Sequence, residues 1–346
     1  MSNTSHSRRL AAKPTARLRV PVDLSSPYVS IWGATTALFV LSAIFVPESM
    51  SAQALNAMIP FAAILAIVAI GQTLIIQQRG IDLSVAGLMS LAGMAFVTYV
   101  DRNEPSILVA ILVMLAVGAV VGLANGLIIT RVNVTPLITT LAMNALVFGA
   151  MYSYTKGVGS SAPEGFSSFT GDELLGISVL AWLAVALALA VGFVATRTTI
   201  GRRFVAVGAS PAAARALGVH VNRYIIAAYV IGSMLFVLAA VLLAGYIQTP
   251  TPLMGEPYLF QSVMAVVIGG TSVAGGKGSV AASVVAAVFL TQLGQVVRTL
   301  GAAPSVQGLV QALALTAAVA FAAFLATRRA RTKGAVVATE RPAAAT

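Results

Sequence analysis

Long apolar runs recur along the chain, separated by short polar intervals rich in Gly, Pro, Ser and Arg. A helix needs ~20 largely apolar residues to cross a bilayer. The runs at 28–46, 58–76, 83–100, 107–130, 137–154, 177–196, 224–247, 258–269, 280–297 and 306–326 reach or approach that length. The pattern predicts an all-α polytopic membrane protein with about ten transmembrane helices. The run at 258–269 is short and leads into Gly269-Gly270-Thr271-Ser272-Val273-Ala274-Gly275-Gly276-Lys277-Gly278. A broken or re-entrant turn is expected there, because Gly permits unusual backbone and close helix packing. Residues 1–27 read as a disordered basic cytoplasmic tail, 28–326 as the transmembrane domain and 327–346 as a second basic tail. Ala52-Gln53-Ala54 mimics a signal-peptide cleavage site, but the first apolar run and its leader are both too long, so an uncleaved first span is expected.

Composition sharpens this picture. Of 346 residues, 58% are hydrophobic and 9% are charged, against roughly 25% charged in soluble domains. No polar block is large enough for a separate soluble catalytic domain. The net charge of +11 invites a nucleic-acid reading, but its distribution argues for topology. With the N-terminus inside, only Arg102, Lys156 and Arg298 of the 21 basic residues fall outside. The acids Glu48, Asp101, Glu104, Glu164, Asp172, Glu173 and Glu256 fall outside with them. The positive-inside rule then places both termini and the central loop in the cytoplasm, and no nucleic-acid partner is expected. Cys is absent, and His6 and His220 have no neighbour at metal-ligand spacing, so no cysteine or histidine metal site is expected.

The polar interval 197–223 organises the chain. It carries Arg197, Arg202, Arg203, Arg215 and Arg223 and no acid. Within it a short helix is predicted over Pro211–Leu217: Ser210 suits the N-cap, Pro211 the first position and Gly218 the C-terminal cap. About two turns long, it cannot span a bilayer and is marginal alone in water. Two readings stand at this stage: a docking knob for a cytoplasmic partner, or a basic loop that only fixes topology.

Candidate chemistry is sparse. Gly276-Lys277 suggests a phosphate-binding loop, but Thr271 stands where the first Gly is required and Gly278 where Ser or Thr is required. No ATP site is expected in this chain. Asp82 is the acid nearest the spans; it either caps the third helix or serves a gate or partner contact. Asn125, Thr139, Thr140, Asn144, Gln261, Gln292 and Gln295 lie within apolar runs, and Gln307 and Gln311 share a helix face. Amides both donate and accept, so such a lining suits a neutral polyhydroxylated solute; interhelical hydrogen bonding is the alternative. Gly118 and Gly122 are expected to serve helix packing. No Ser/His/Asp set, metal cluster or pair of buried carboxylates is legible, so an enzyme is not expected. Gly80-Ile81-Asp82-Leu83-Ser84-Val85 is weakly echoed by Gly276-Lys277-Gly278-Ser279-Val280, a pattern that points to a transport pathway.

Four stretches together resemble one family, the permease subunits of ribose-type (monosaccharide) ABC importers. Gln78 to Gly87 resembles its Gly-Ile-Asp-Leu-Ser-Val-Gly signature, and Asn133 to Leu141 its Asn-Val-Pro-Pro-Phe-Ile-Ala-Thr-Leu stretch. Gly208 to Val219 resembles the coupling loop, and Val267 to Val280 the Gly-Gly-Thr-Ser segment. Arg79 departs from a common Gly, Ser210 from an Asn and Thr135 from a Pro. The resemblance implies a homodimer in the bacterial inner membrane, in contact with lipid. A cytoplasmic ABC ATP-binding subunit, using ATP and magnesium, would dock through Gly208, Ala209, Ser210, Pro211, Ala214, Arg215, Leu217 and Gly218. An extracytoplasmic sugar-binding protein would dock outside. Candidate pathway or gate residues are Gly80, Asp82, Ser84, Asn125, Thr139, Asn144, Gln261, Gly270, Thr271, Gly275 and Gly276. The rivals are a related permease for branched-chain amino acids or nucleosides, and an ion-coupled secondary transporter.

Overall fold

The computed structural model describes residues 27–303, 305–317 and 320. The first tail up to residue 26 and the tail at 327–346 lie outside the described residues, as does most of 318–326. Among the described residues, seven helices are long and apolar enough to cross a membrane. They are α1 (Pro27–Phe45), α2 (Ala52–Gln77), α4 (Ile107–Leu127), α5 (Pro136–Thr155), α7 (Val179–Arg197), α10 (Val221–Ile247) and α12 (Val280–Thr299). α3 (Val85–Asn103) is long but less apolar, and α11 (Glu256–Ile268) and α13 (Ser305–Ala317) are short. All ten expected apolar runs are thus helical where described, and seven meet the spanning criterion.

The remaining elements sit between these helices. α6 (Glu164–Gly171) and a hairpin of β1 (Glu173–Leu174) and β2 (Ile177–Ser178) fill the polar interval between α5 and α7. The central interval contains two helices rather than one: α8 (Thr199–Ala209) and α9 (Pro211–Ala216). Ser210 ends the first and caps the second, its Oγ accepting from the Ala213 amide at 3.2 Å. The sequence signal for α8 was masked by two glycines and by the adjoining Thr198-Thr199. Its own cap is Thr198, whose Oγ1 accepts from the Gly201 amide at 3.1 Å.

α2 and α10 form the centre. α2 is buried from Ala62 to its end, and α10 along most of its C-terminal two-thirds. Small residues allow this. A Cβ on Gly71 would lie 2.9 Å from the Gly232 carbonyl oxygen. On α4, Gly118, Gly122 and Gly126 form one stripe against α10, meeting Val237, Tyr229 and Ile226 in turn. That is the packing role expected of Gly118 and Gly122, and close backbone approach is a main source of helix association in lipid. α1, α4, α5 and α7 instead expose large apolar side chains, among them Trp32, Leu108, Leu146 and Leu189.

The chain does not pass straight from α10 to α11. The Gly255 amide donates to Ser90 Oγ at 3.2 Å, and a Cβ on Gly255 would meet the Ala86 carbonyl. Both partners lie in the first turns of α3, while α10 ends at the opposite side of the bundle. The segment after Ile247 therefore folds back into the bundle, and α11 starts inside it. This is the physical reason that α11 has only 13 residues.

Candidate functional site: a docking junction and a polar vestibule

The three glycine-bearing motifs, distant in sequence, meet at the basic end of the bundle. α2 ends at Gln77, and the chain turns through Arg79, which has a φ of 66°. The Gln77 carbonyl accepts from the Gly276 amide at 2.9 Å. Gly208 packs on the same carbonyl so closely that a Cβ there would stand 2.0 Å from its oxygen. A Cβ on Gly276 would stand 2.4 Å from Ala209 Cα, and one on Gly275 2.4 Å from Arg79 Cγ. Gly275 and Gly276 have φ of 87° and 72°, so both the turn and the contact require glycine.

Two side chains tie the junction. Gln78 Nε2 donates to the Phe204 carbonyl at 2.8 Å. Arg79 Nε donates to the Gly208 carbonyl at 2.8 Å, and its Nη2 to the Ala209 carbonyl at 2.5 Å. Those are the last carbonyls of α8, which lack partners inside the helix. A guanidinium there satisfies them and meets the negative end of the helix dipole. Arg79, singled out in sequence only as a departure from Gly, thus joins the end of α2 to the end of α8. Its left-handed backbone is costly for a residue with a Cβ, and charge-assisted hydrogen bonds offset that cost.

α9 is seated on this junction by Ala214, which packs with Val207 and Val221. Its outer surface presents Arg215, with Leu217 82% exposed just beyond the helix end. Gly218 has a φ of 77° and ends the helix as expected. The predicted set Gly208, Ala209, Ser210, Pro211, Ala214, Arg215, Leu217 and Gly218 therefore divides in two. Gly208 and Ala214 are buried and Ser210 and Pro211 half-buried, while Ala209, Arg215, Leu217 and Gly218 are exposed.

Directly beyond Arg79, residues 80–84 enter the bundle. Gly80 lies under the Tyr229 hydroxyl with no room for a side chain. Asp82 is not at an open mouth; it is fully buried. Its Oδ1 accepts from the Ser84 amide at 2.8 Å and from Ser84 Oγ at 2.6 Å, closing a local turn ahead of α3; the N-cap of α3 is Ser84, which makes no side-chain cap bond. Its Oδ2, Asn125 Oδ1 and the Tyr229 hydroxyl have no partner. Burial pushes the Asp82 carboxyl up to about 6, against the hydrogen bonds from Ser84 that lower it. Asn125 Nδ2 donates to Ser84 Oγ at 3.2 Å. From α5, Thr140 Oγ1 accepts from the Leu83 amide at 3.0 Å, and Asn144 Oδ1 from the Gly87 amide at 2.7 Å. These polar groups hold the start of α3. Thr139 is not among them: its hydroxyl bonds the Thr135 carbonyl within α5. Gly270 sits at a positive φ of 83° and Thr271 is buried with Oγ1 unpaired, both in the turn that leads to Gly275.

Gln261 lies elsewhere. With Thr251, Tyr258, Gln295, Gln307 and Gln311 it lines a cavity of about 590 Å³ at the opposite end of α2 and α10. Arg298 enters the same cavity, donating to the Gln295 side-chain oxygen at 2.9 Å and to that of Gln307 at 3.1 Å. Gln261 Nε2 donates to Gln311 Oε1 at 3.2 Å. No Asp or Glu lines this cavity. Apart from Thr139, the expected pathway residues thus fall into three groups: the junction with its Gly270–Thr271 turn, the α3 anchor and the vestibule.

Comparison with known proteins decides the family. The profile of a family described as "Branched-chain amino acid transport system / permease component" matches residues 55–338. The chain belongs to this permease family. Among its curated relatives, a ribose import permease protein of Escherichia coli (strain K12) is 34% identical over 261 residues, 73% of this chain and 80% of the relative. An autoinducer 2 import system permease protein of Klebsiella pneumoniae is 33% identical, covering 78% of each chain. A galactose/methyl galactoside import permease protein of E. coli (strain K12) is 30% identical over 85% of this permease and 94% of the relative. No solved structure matches the permease.

Proposed function

We propose that this permease is the membrane subunit of an ATP-binding-cassette importer in the bacterial inner membrane, and that it carries a sugar or sugar-like solute. The observation that carries the reading is the junction. A surface helix is welded through Gly208 and Arg79 to the connection that opens α3, so force on α9 reaches the bundle interior. The permease has no phosphate-binding loop of its own, so a separate cytoplasmic subunit supplies ATP hydrolysis, with ATP and magnesium bound there. Gly208 to Gly218 is the grip for that subunit. The basic end faces the cytoplasm under the positive-inside rule. The vestibule then faces outward, where an extracytoplasmic binding protein delivers the solute. Two copies of the chain, each with ten spans counting α3, α11 and α13, form the complete pathway.

The vestibule favours a neutral hydroxylated solute over a free amino acid. An amino acid brings an ammonium group that needs a carboxylate or equivalent, and the lining supplies none. Four glutamine amides and two threonine hydroxyls fit sugar hydroxyls, which both donate and accept. The test is uptake into liposomes holding the permease, its co-expressed ATP-binding subunit and binding protein. Sugar uptake that needs ATP inside and stops without the ATP-binding subunit is expected. Uptake by the permease alone, driven by an ion gradient, overturns the reading.

A further inference from the structure

A second groove, of about 710 Å³, lies beside the junction and apart from the vestibule; Phe204, Leu217 and Gly218 of the docking junction line part of it. Its walls are the last turns of α7, with Val191 and Val194, and the first turns of α10, with Tyr224 and Ile231. α8 closes it with Ile200 and Phe204, one turn apart on the same face. Arg203, His220 and Arg223 stand at its lip.

We propose that this groove is a binding site for one anionic phospholipid of the leaflet at the basic end of the bundle. The apolar walls belong to helices that meet the spanning criterion, within a few turns of their ends, so they lie at acyl-chain depth. Arg223 lies in the first turn of α10, His220 just before it and Arg203 on α8, which places the lip at headgroup depth. Arg203 and Arg223 are exposed, and neither has an ion pair among the described residues. The whole interval 197–223 contains no acid that could neutralise them. Ile200 is 62% exposed beside Arg203, the mark of a helix lying in the membrane surface with apolar residues down and cations at the phosphates. A free phosphate would use the lip but not the apolar walls. A sugar would use neither. An amphiphile with a phosphate uses both, and basic pockets between membrane helices are suited to such headgroups. The inference requires only that the permease lie in a bilayer and does not depend on the solute; because Leu217 and Gly218 also line the groove, an ATP-binding partner is the competing occupant that the test separates.

The test uses the purified full chain in nanodiscs of phosphatidylcholine doped with phosphatidylglycerol, with lipids that survive detergent challenge counted by native mass spectrometry. One phosphatidylglycerol retained per chain, in preference to phosphatidylcholine, is the expected result. The Arg203→Gln/Arg223→Gln double variant is expected to retain it about tenfold less, each cation near a membrane surface contributing several-fold. Val194→Trp fills the apolar wall without touching charge, and is expected to reduce retention as well. Equal retention of the two lipids overturns the proposal, as does wild-type retention by both variants. So does displacement of the bound species by inorganic phosphate alone, which identifies an anion site. Protection of the groove only in dimeric or ATPase-bound species, with no lipid present, assigns it to a protein partner and also overturns it.

Discussion

Gly208→Ala is the substitution that most directly probes the junction. An added Cβ would stand 2.0 Å from the Gln77 carbonyl oxygen, 2.9 Å from the Gly276 amide nitrogen and 3.1 Å from the Gln77 carbonyl carbon. All three are backbone atoms, so no side chain can rotate away. Relief requires α8 to separate from the end of α2 by about 1 Å, since overpacked sites relax through backbone shifts. That movement stretches the 2.9 Å Gly276–Gln77 hydrogen bond and the 2.8 Å Arg79–Gly208 bond. Overpacking costs about 1–3 kcal/mol, and weakening a neutral and a charge-assisted bond adds about 2 kcal/mol. A local penalty of about 3–5 kcal/mol results. Gly192→Ala is the control: that glycine lies within α7 with nothing inside 4 Å of its added Cβ, and alanine should help the helix by up to about 1 kcal/mol. The assay pairs thermal unfolding in mild detergent with ATP-driven uptake in liposomes. Gly208→Ala should melt several degrees lower and lose uptake more than tenfold, while Gly192→Ala matches or exceeds wild type. Equal behaviour of the two variants would refute the reasoning.

Other expectations follow from the same contacts. Asp82 has its carboxyl raised from 3.8 to about 6 by burial, so the folded protein holds a proton that the unfolded chain releases. Stability therefore falls as pH rises from about 4 to about 6 and is flat above, by up to about 3 kcal/mol. Asp82→Asn should abolish that slope in detergent melts and be the more stable protein at neutral pH; a parallel pH profile in both proteins would contradict the assignment. Gly122→Val places side-chain atoms into the Tyr229 carbonyl, 2.4 Å from the added Cβ. It should cost at least about 3 kcal/mol, seen as loss of folded protein on size exclusion, and normal yield and melting would contradict it. Arg79→Ala keeps the left-handed backbone but removes both bonds to the end of α8. A loss of about 2–4 kcal/mol is expected, with protease cutting within 197–210 faster than in wild type; unchanged cutting would argue against the tie.

The hydrophobic pattern made nearly all the spanning helices legible, because lipid-facing helices must be apolar all round. α3 shows where that signal weakens: it is buried by protein rather than lipid, and Ser90, Thr98 and its glycines are tolerated there. The capped α9 was legible from Ser210, Pro211 and Gly218 alone. α8 was not: Gly201, Gly208 and the adjoining Thr198-Thr199 masked it, although Ile200, Phe204 and Val207 recur at helical spacing, and only the tie from Arg79 to its end has no local signal. The junction was visible only as three separate glycine motifs. Their convergence depends on the α2–α10 packing, a long-range fact. Asp82 was read as the acid nearest the spans, serving either a cap or a gate or partner contact. The turn that carries it tucks inward, held by Thr140 and Asn144, whose amide and hydroxyl were read as solute-lining candidates but serve backbone groups of α3. The vestibule glutamines were legible as polar positions inside apolar runs, while their partner Arg298 was read only as one of the few outside cations.

The central claim is that the surface formed by α9 and its end is the grip for an ATP-hydrolysing subunit. Its most direct test is co-purification of that subunit with the tagged permease in gentle detergent, comparing wild type with Arg215→Glu and Leu217→Ala. Both side chains are exposed and make no contact that the fold needs. An ATPase subunit bound to wild type and lost from both variants is expected, with the permease itself melting at the same temperature. An ATPase retained equally by all three proteins, or a wild-type permease that moves solute with no such subunit, would contradict it.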